Sequence, residues 1–254
     1  MVNYLYNIVD QIFVGQGVGI TGMAAINVAF PLSILVNAIA LLLGDGCAAN
    51  VSLCLGRREQ ETADRIFSHA VTWIVTSGVV MALLCGILAP QIVRLFGSTD
   101  TAYGESLAYM RTIALGIPFQ LICPAFAAII RADGAPQYTM KCMMLGAAIN
   151  LILDPVFIFP LHMGVVGAGI ATVIGQVAAG TFCLLYLRRL QTVQLRRGAL
   201  RPTWTLTRRI LKLGFPSLLT QGLTALVQIV LNNLMRVCGA ASVYGSDIAL
   251  SVYG

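Results

Sequence analysis

Six stretches of this 254-residue chain are apolar for long enough to cross a bilayer, and no other feature limits its possible folds so severely. They run approximately over residues 23–55, 70–96, 107–130, 138–159, 166–187 and 210–238. About 20 helical residues span the roughly 30 Å of hydrocarbon. No water inside that layer can satisfy a free N–H or C=O, so a spanning segment of this length must close its hydrogen bonds within itself, as an α-helix. An all-α polytopic membrane protein is expected. Composition agrees, with 58% of residues hydrophobic and 10% charged, where a soluble domain carries about a quarter charged residues. Residues 1–14 are apolar but too short to span, and 246–254 stop soon after they start. The opening "MVNYLYNIVD" has neither the basic start nor the small-residue cleavage site of a signal peptide.

Basic residues set the orientation. With the first segment running outward, Arg57, Arg58, Arg65, Arg131, Lys141, Arg188, Arg189, Arg196, Arg197, Arg201, Arg208, Arg209 and Lys212 fall on the inner side, leaving Arg94, Arg111 and Arg236 outside. This is the positive-inside pattern. It accounts for the net charge of +6 without a nucleic-acid partner. Residues 188–209 form the longest and most basic connection and read as a cytoplasmic hinge between two bundles. A shift of 221 residues aligns "LYNIVDQIF" with "LVQIVLNNL", matching Leu5, Ile8 and Val9 to Leu226, Ile229 and Val230. Faint internal symmetry of this kind marks transporters built from repeated halves.

Acids inside the spans carry the functional signal, because a charge in hydrocarbon costs several kcal/mol, about 2.5 to 3.5 on insertion scales. Asp10 and Asp154 lie within spans rather than at their ends. Counting from the outer ends at about 1.5 Å per residue puts Asp10, Asp154 and Thr172 in one layer, roughly 8 to 9 Å deep. Asn150, four residues before Asp154, shares its helix face one turn deeper. Pro155 lacks an N–H, which frees the carbonyl of Leu151. Carboxylate, amide oxygen and carbonyl together suit a hard cation or a proton. The alternative is a polar pair that only holds helices together. Asp45, near the inner end of its span, is read as facing a hydrated inner mouth. The seven cysteines are scattered without metal-ligand spacing and are read as small hydrophobes. His69 and His162 sit near segment ends with no partner pattern.

The stretches "NIVDQIFVGQGVGITGMAAINVAFP" (7–31), "CAANVSLCLGRREQETADR" (47–65), "RADGAPQYTM" (131–140) and "INLILDPVFIFPLHMGVVGAGIATVIGQ" (149–176) resemble the multidrug and toxic compound extrusion (MATE) transporters. The likeness covers essentially the whole chain, and the last stretch is its most specific part. It implies a twelve-helix fold of two six-helix lobes, here truncated at both ends. Residues 1–187 would be the amino lobe with a shortened first helix, 188–209 the interlobe loop, and 210–254 the start of the carboxyl lobe, with helix seven and part of helix eight. The rest of that lobe would normally belong to the same chain. The resemblance further implies a transporter rather than an enzyme, multi-pass in a bacterial cell membrane. It would exchange an organic cation or toxic metabolite for H+ or Na+, with no cofactor beyond that ion. Carried over by position, the cation site falls on Asp10, Asn150, Asp154 and Thr172, which would be the metal ligands if the ion is Na+. Pro155 and the glycines Gly15, Gly17 and Gly19 would be the hinges. Two rivals are a lipid-linked oligosaccharide flippase, which should line its cavity with cationic residues, and an intramembrane aspartyl protease, whose Gly-x-Gly-Asp signature is missing from "GDG" at 44–46.

Overall fold

A computed structural model of the chain describes residues 15–195 and 203–240, so Asp10 lies outside the described residues. Six long helices follow one another: α1 (Ile20–Gly56), α2 (Gln60–Leu95), α3 (Tyr103–Ala132), α4 (Pro136–Ile158), α5 (Gly164–Tyr186) and α6 (Trp204–Ala240). A short 3-10 turn, Leu187–Arg189, follows α5, and no strand occurs among the described residues. Each long helix is apolar over a membrane-spanning length. The all-α, multi-pass architecture is therefore as expected.

Most boundaries fall within a few residues of the apolar stretches. The largest difference is α2, which begins at Gln60 rather than near residue 70. Its first ten residues, "QETADRIFSH", are amphipathic rather than apolar, and they bury Ala63, Ile66 and Phe67 while Glu61 and Arg65 form an exposed ion pair at 2.8 Å. A search for uniform hydropathy cannot see a helix that continues past the membrane into water. For the same reason α6 starts at Trp204, six residues before the apolar run at Ile210.

Helix α3 occupies the centre of the bundle, packed by α1, α2 and α5. Glu105 in its first turn and Arg131 in its last complement the helix dipole. The turn after α3 ends on Gly134, and Pro136 opens α4 where no N–H is needed. Large apolar residues such as Val80, Leu83 and Ile87 on α2 and Leu115 on α3 point outward. In a lipid-embedded bundle that face needs no polar cover.

Candidate cation and substrate site

The site is built where α4 and α5 cross. A Cβ on Gly175 would stand 2.7 Å from the Gly146 carbonyl oxygen, and one on Gly146 would stand 3.0 Å from the Gly175 carbonyl oxygen and 2.9 Å from the Ala179 Cβ. Only glycine at both positions lets the two backbones come this close. Asn150 lies one turn after Gly146 and Thr172 about one turn before Gly175. The crossing thus presses the two polar residues together.

The Asn150 amide bridges its neighbours. In the orientation that satisfies both sides, Nδ2 donates to Asp154 Oδ2 at 3.1 Å, and Oδ1 accepts from the hydroxyl and the N–H of Thr172, each at 3.2 Å. Asp154 is fully buried and Asn150 nearly so. A carboxylate taken out of water needs such donors.

Asn150 and Asp154 therefore meet across their four-residue spacing, and Thr172 joins them from α5. Thr172 bonds to Asn150, one turn further in than the depth count placed it, because the glycine crossing and not the distance from the outer surface sets the register of α4 on α5. Pro155 sits inside α4 beside Asp154. Gly15 and Gly17 lie in a helical turn, and Gly19, with φ of 84°, leads into α1. A Cβ on Gly17 would overlap Ile158, so this turn rests against the outer end of α4.

Asn150 and Thr172 also line an open cavity of about 600 Å3 walled by α1, α3, α4, α5 and α6. Its polar lining is made of amides and hydroxyls, among them Asn37, Gln120, Gln176, Gln221 and Thr224, and no charged side chain among the described residues contributes. The buried Oε1 atoms of Gln120 and Gln176 have no hydrogen-bond donor among the described residues. A molecule in this cavity would touch the residues that hold Asp154.

The inner end carries a second polar system. Asp45 accepts from Ser217 Oγ at 2.8 Å, with Arg131 Nη2 at 3.9 Å, and its side chain is 35% exposed. Residues 191–194 are held on the bundle by two carboxylates. Asp133 accepts from Tyr186 Oη at 2.9 Å and from the N–H groups of Gln191 and Thr192, and Asp64 accepts from the Gln194 N–H at 2.9 Å. On the far side of the connection, His69 Nε2 accepts from the Thr203 N–H at 3.2 Å and lies 3.0 Å from Thr207 Oγ1, to which Trp73 Nε1 also donates.

With this geometry in view, the MatE family profile matches residues 1–156, more than half of the chain. The chain belongs to the MatE family. It is 27% identical over 253 residues to the multidrug export protein MepA of Staphylococcus saprophyticus, covering 98% of this chain and 56% of that protein. It is also 27% identical to MepA of Staphylococcus aureus strain MRSA252, again over 56% of that length. Among solved structures, the MATE multidrug transporter DinF-BH superposes with a TM-score of 0.89 at 34% identity, over 98% of this chain and 55% of that one. An inward-facing MATE family transporter of the MOP superfamily gives a TM-score of 0.88 at 27% identity. This MatE chain spans just over half the length of the relatives it matches.

Charge and spacing singled out Asp154 and Asn150 in this MatE sequence, and the depth count and the family resemblance added Thr172. They missed Gly146 and Gly175, whose offsets of four and three residues from Asn150 and Thr172 were a usable signal. The cavity amides were also missed, since Asn37, Gln120, Gln176 and Gln221 come from four helices with no common spacing. His69 and the cysteines Cys123 and Cys183 find partners more than 50 residues away, which no local pattern encodes.

Proposed function

We propose that this MatE chain forms the amino-lobe part of a secondary antiporter that exports organic cations or toxic metabolites in exchange for H+ or Na+. The observation that carries the reading is the sharing of Asn150 and Thr172 between the cavity and the Asp154 cluster. A carboxylate, an amide oxygen and a hydroxyl are the donors a hard cation takes. While Asn150 donates to Asp154, its amide serves the carboxylate as a substitute for the ion. When H+ or Na+ arrives at Asp154, that donor is no longer required, and the amide turns its oxygen toward the newcomer. The same turn alters the cavity wall. Ion and substrate then favour different arrangements of one set of side chains, which is the requirement for exchange.

Asp10 is assigned as the second carboxylate of this site. Two acids in a low-dielectric layer repel, so ion uptake relieves the pair. Pro155 and the glycines Gly15, Gly17 and Gly19 are assigned as the points where α4 and the segment before α1 bend. The uncharged cavity disfavours the flippase reading, since no Lys or Arg among the described residues offers itself to an anionic headgroup.

The reading is tested by ethidium binding to the purified chain across pH and Na+ series. The wild type should bind more weakly as H+ or Na+ rises, whereas Asp154→Asn should bind ethidium with a much smaller ion dependence. Undiminished ion dependence in Asp154→Asn would exclude Asp154 as the coupling group. In cells carrying the full-length transporter, the same substitution should abolish efflux at unchanged expression.

A further inference from the structure

We propose that Cys123 and Cys183 form a dithiol receptor for trivalent arsenicals, opening into the cavity. Cys123 of α3 lines the cavity wall, and Cys183 of α5 stands behind it, fully buried. Their sulfurs are 3.9 Å apart, and the Cys183 sulfur is 4.0 Å from the Cys123 carbonyl oxygen. Both are free thiols. The pairing is set by packing, because Gly180 brings α5 onto α3, where a Cβ would stand 3.1 Å from Phe119 Cδ1 and 3.3 Å from the Phe119 carbonyl oxygen. Cys183 lies one turn after Gly180 and Cys123 one turn after Phe119, so the two sulfurs share a level.

The chemistry of the pair selects its ligand. Thiols are soft donors and prefer soft centres. The Cys142 thiol of α4 also stands against Cys183, yet no group of three metal-ligating side chains arranged to hold an ion occurs among the described residues, so a four-coordinate metal is not served. A trivalent arsenical, R–As(OH)2, needs only two sulfurs. Each thiol forms one As–S bond and displaces one hydroxyl, and its proton leaves with that hydroxyl as water. Two As–O bonds break and two As–S bonds form, with no change of oxidation state and no oxidant. The first bond forms at Cys123, the sulfur the cavity reaches. The second is then intramolecular, and the high effective concentration of the neighbouring sulfur makes the chelate far more persistent than a single bond. The organic group stays in the cavity, beside Pro124, Met143 and Ala179. None of this depends on the transport reading.

The test uses phenylarsine oxide, in its dihydroxy hydrate, with the detergent-solubilised chain. Intact mass should show one phenylarsenic group that survives excess 2-mercaptoethanol and is removed by 2,3-dimercaptopropanol. Digestion of the unsubstituted chain should recover a peptide pair bridged through Cys123 and Cys183, a readout that requires no variant to fold. Cys123→Ser and Cys183→Ser should each lose the monothiol-resistant adduct, while Cys47→Ser and Cys85→Ser keep it. A resistant adduct that persists in Cys123→Ser, a bridge mapped to any other cysteine pair, or an adduct stripped by the monothiol would overturn the assignment.

Discussion

Substituting alanine at Gly214 should separate α1 from α6 and lower stability, although the same change elsewhere in α6 should raise it. A Cβ at Gly214 would overlap the Leu42 carbonyl oxygen and stand 2.7 Å from its carbon. Since carbon atoms rest about 3.5 to 4.0 Å apart, the helices must part by about 1 Å. Overpacking of this kind costs about 1 to 3 kcal/mol. The separation also breaks the Ser217–Asp45 hydrogen bond three residues on, at 2.8 Å, worth about 1 kcal/mol at a carboxylate that water can still reach. Alanine returns about 1 kcal/mol through its better helix propensity. The net loss is about 1 to 3 kcal/mol, a fall in Tm of roughly 2 to 12 °C for a chain of this size. Gly222, two turns further along α6, has nothing among the described residues within 4 Å of where a Cβ would stand. Gly222→Ala should therefore gain about 1 kcal/mol and raise Tm by roughly 2 to 4 °C. Thermal unfolding of both variants in one detergent, followed by size exclusion, measures the contrast. A Gly214→Ala chain as stable as Gly222→Ala would refute the close backbone contact. Ser217→Ala should destabilise the wild type but add little on the Gly214→Ala background, since the bond it removes is already broken.

Two further outcomes concern the inner face. Asp133→Ala removes the acceptor for the Gln191 and Thr192 N–H groups, so hydrogen exchange in residues 190–195 should accelerate by about tenfold or more, from about 1.5 to 3 kcal/mol of lost charge-assisted bonding, while α3 is unaffected. Unchanged exchange there would show that Asp133 does not hold the connection. Leu195, 51% exposed, lies on the side assigned to the cytoplasm. In Leu195→Cys the introduced thiol should react with membrane-impermeant maleimide only after cells are opened, and labelling in intact cells would reverse the orientation.

The sequence by itself determined the architecture and singled out the buried acid and amide of the candidate site. Hydrophobic length does this for the spans, because each helix satisfies its own backbone and needs no partner to be recognised. Charge does it for Asp154, since an acid in hydrocarbon is costly wherever the helices pack, and the four-residue spacing to Asn150 fixes a shared face within one helix. Properties that depend on two helices at once were decided only by the tertiary structure. The Gly146–Gly175 crossing brings Thr172 to Asn150, the Gly180 contact brings Cys183 to Cys123, and amides from five helices converge on one cavity. The connection at 188–209 reads as a hinge between two bundles from composition alone, and only the packed structure fastens its two described ends to α2 and α3 through Asp64, Asp133 and His69. Local periodicity reports which face of a helix is polar or small. Which neighbour that face meets, and at what height, is set by how closely the backbones can approach, a quantity that exists only once the helices are packed.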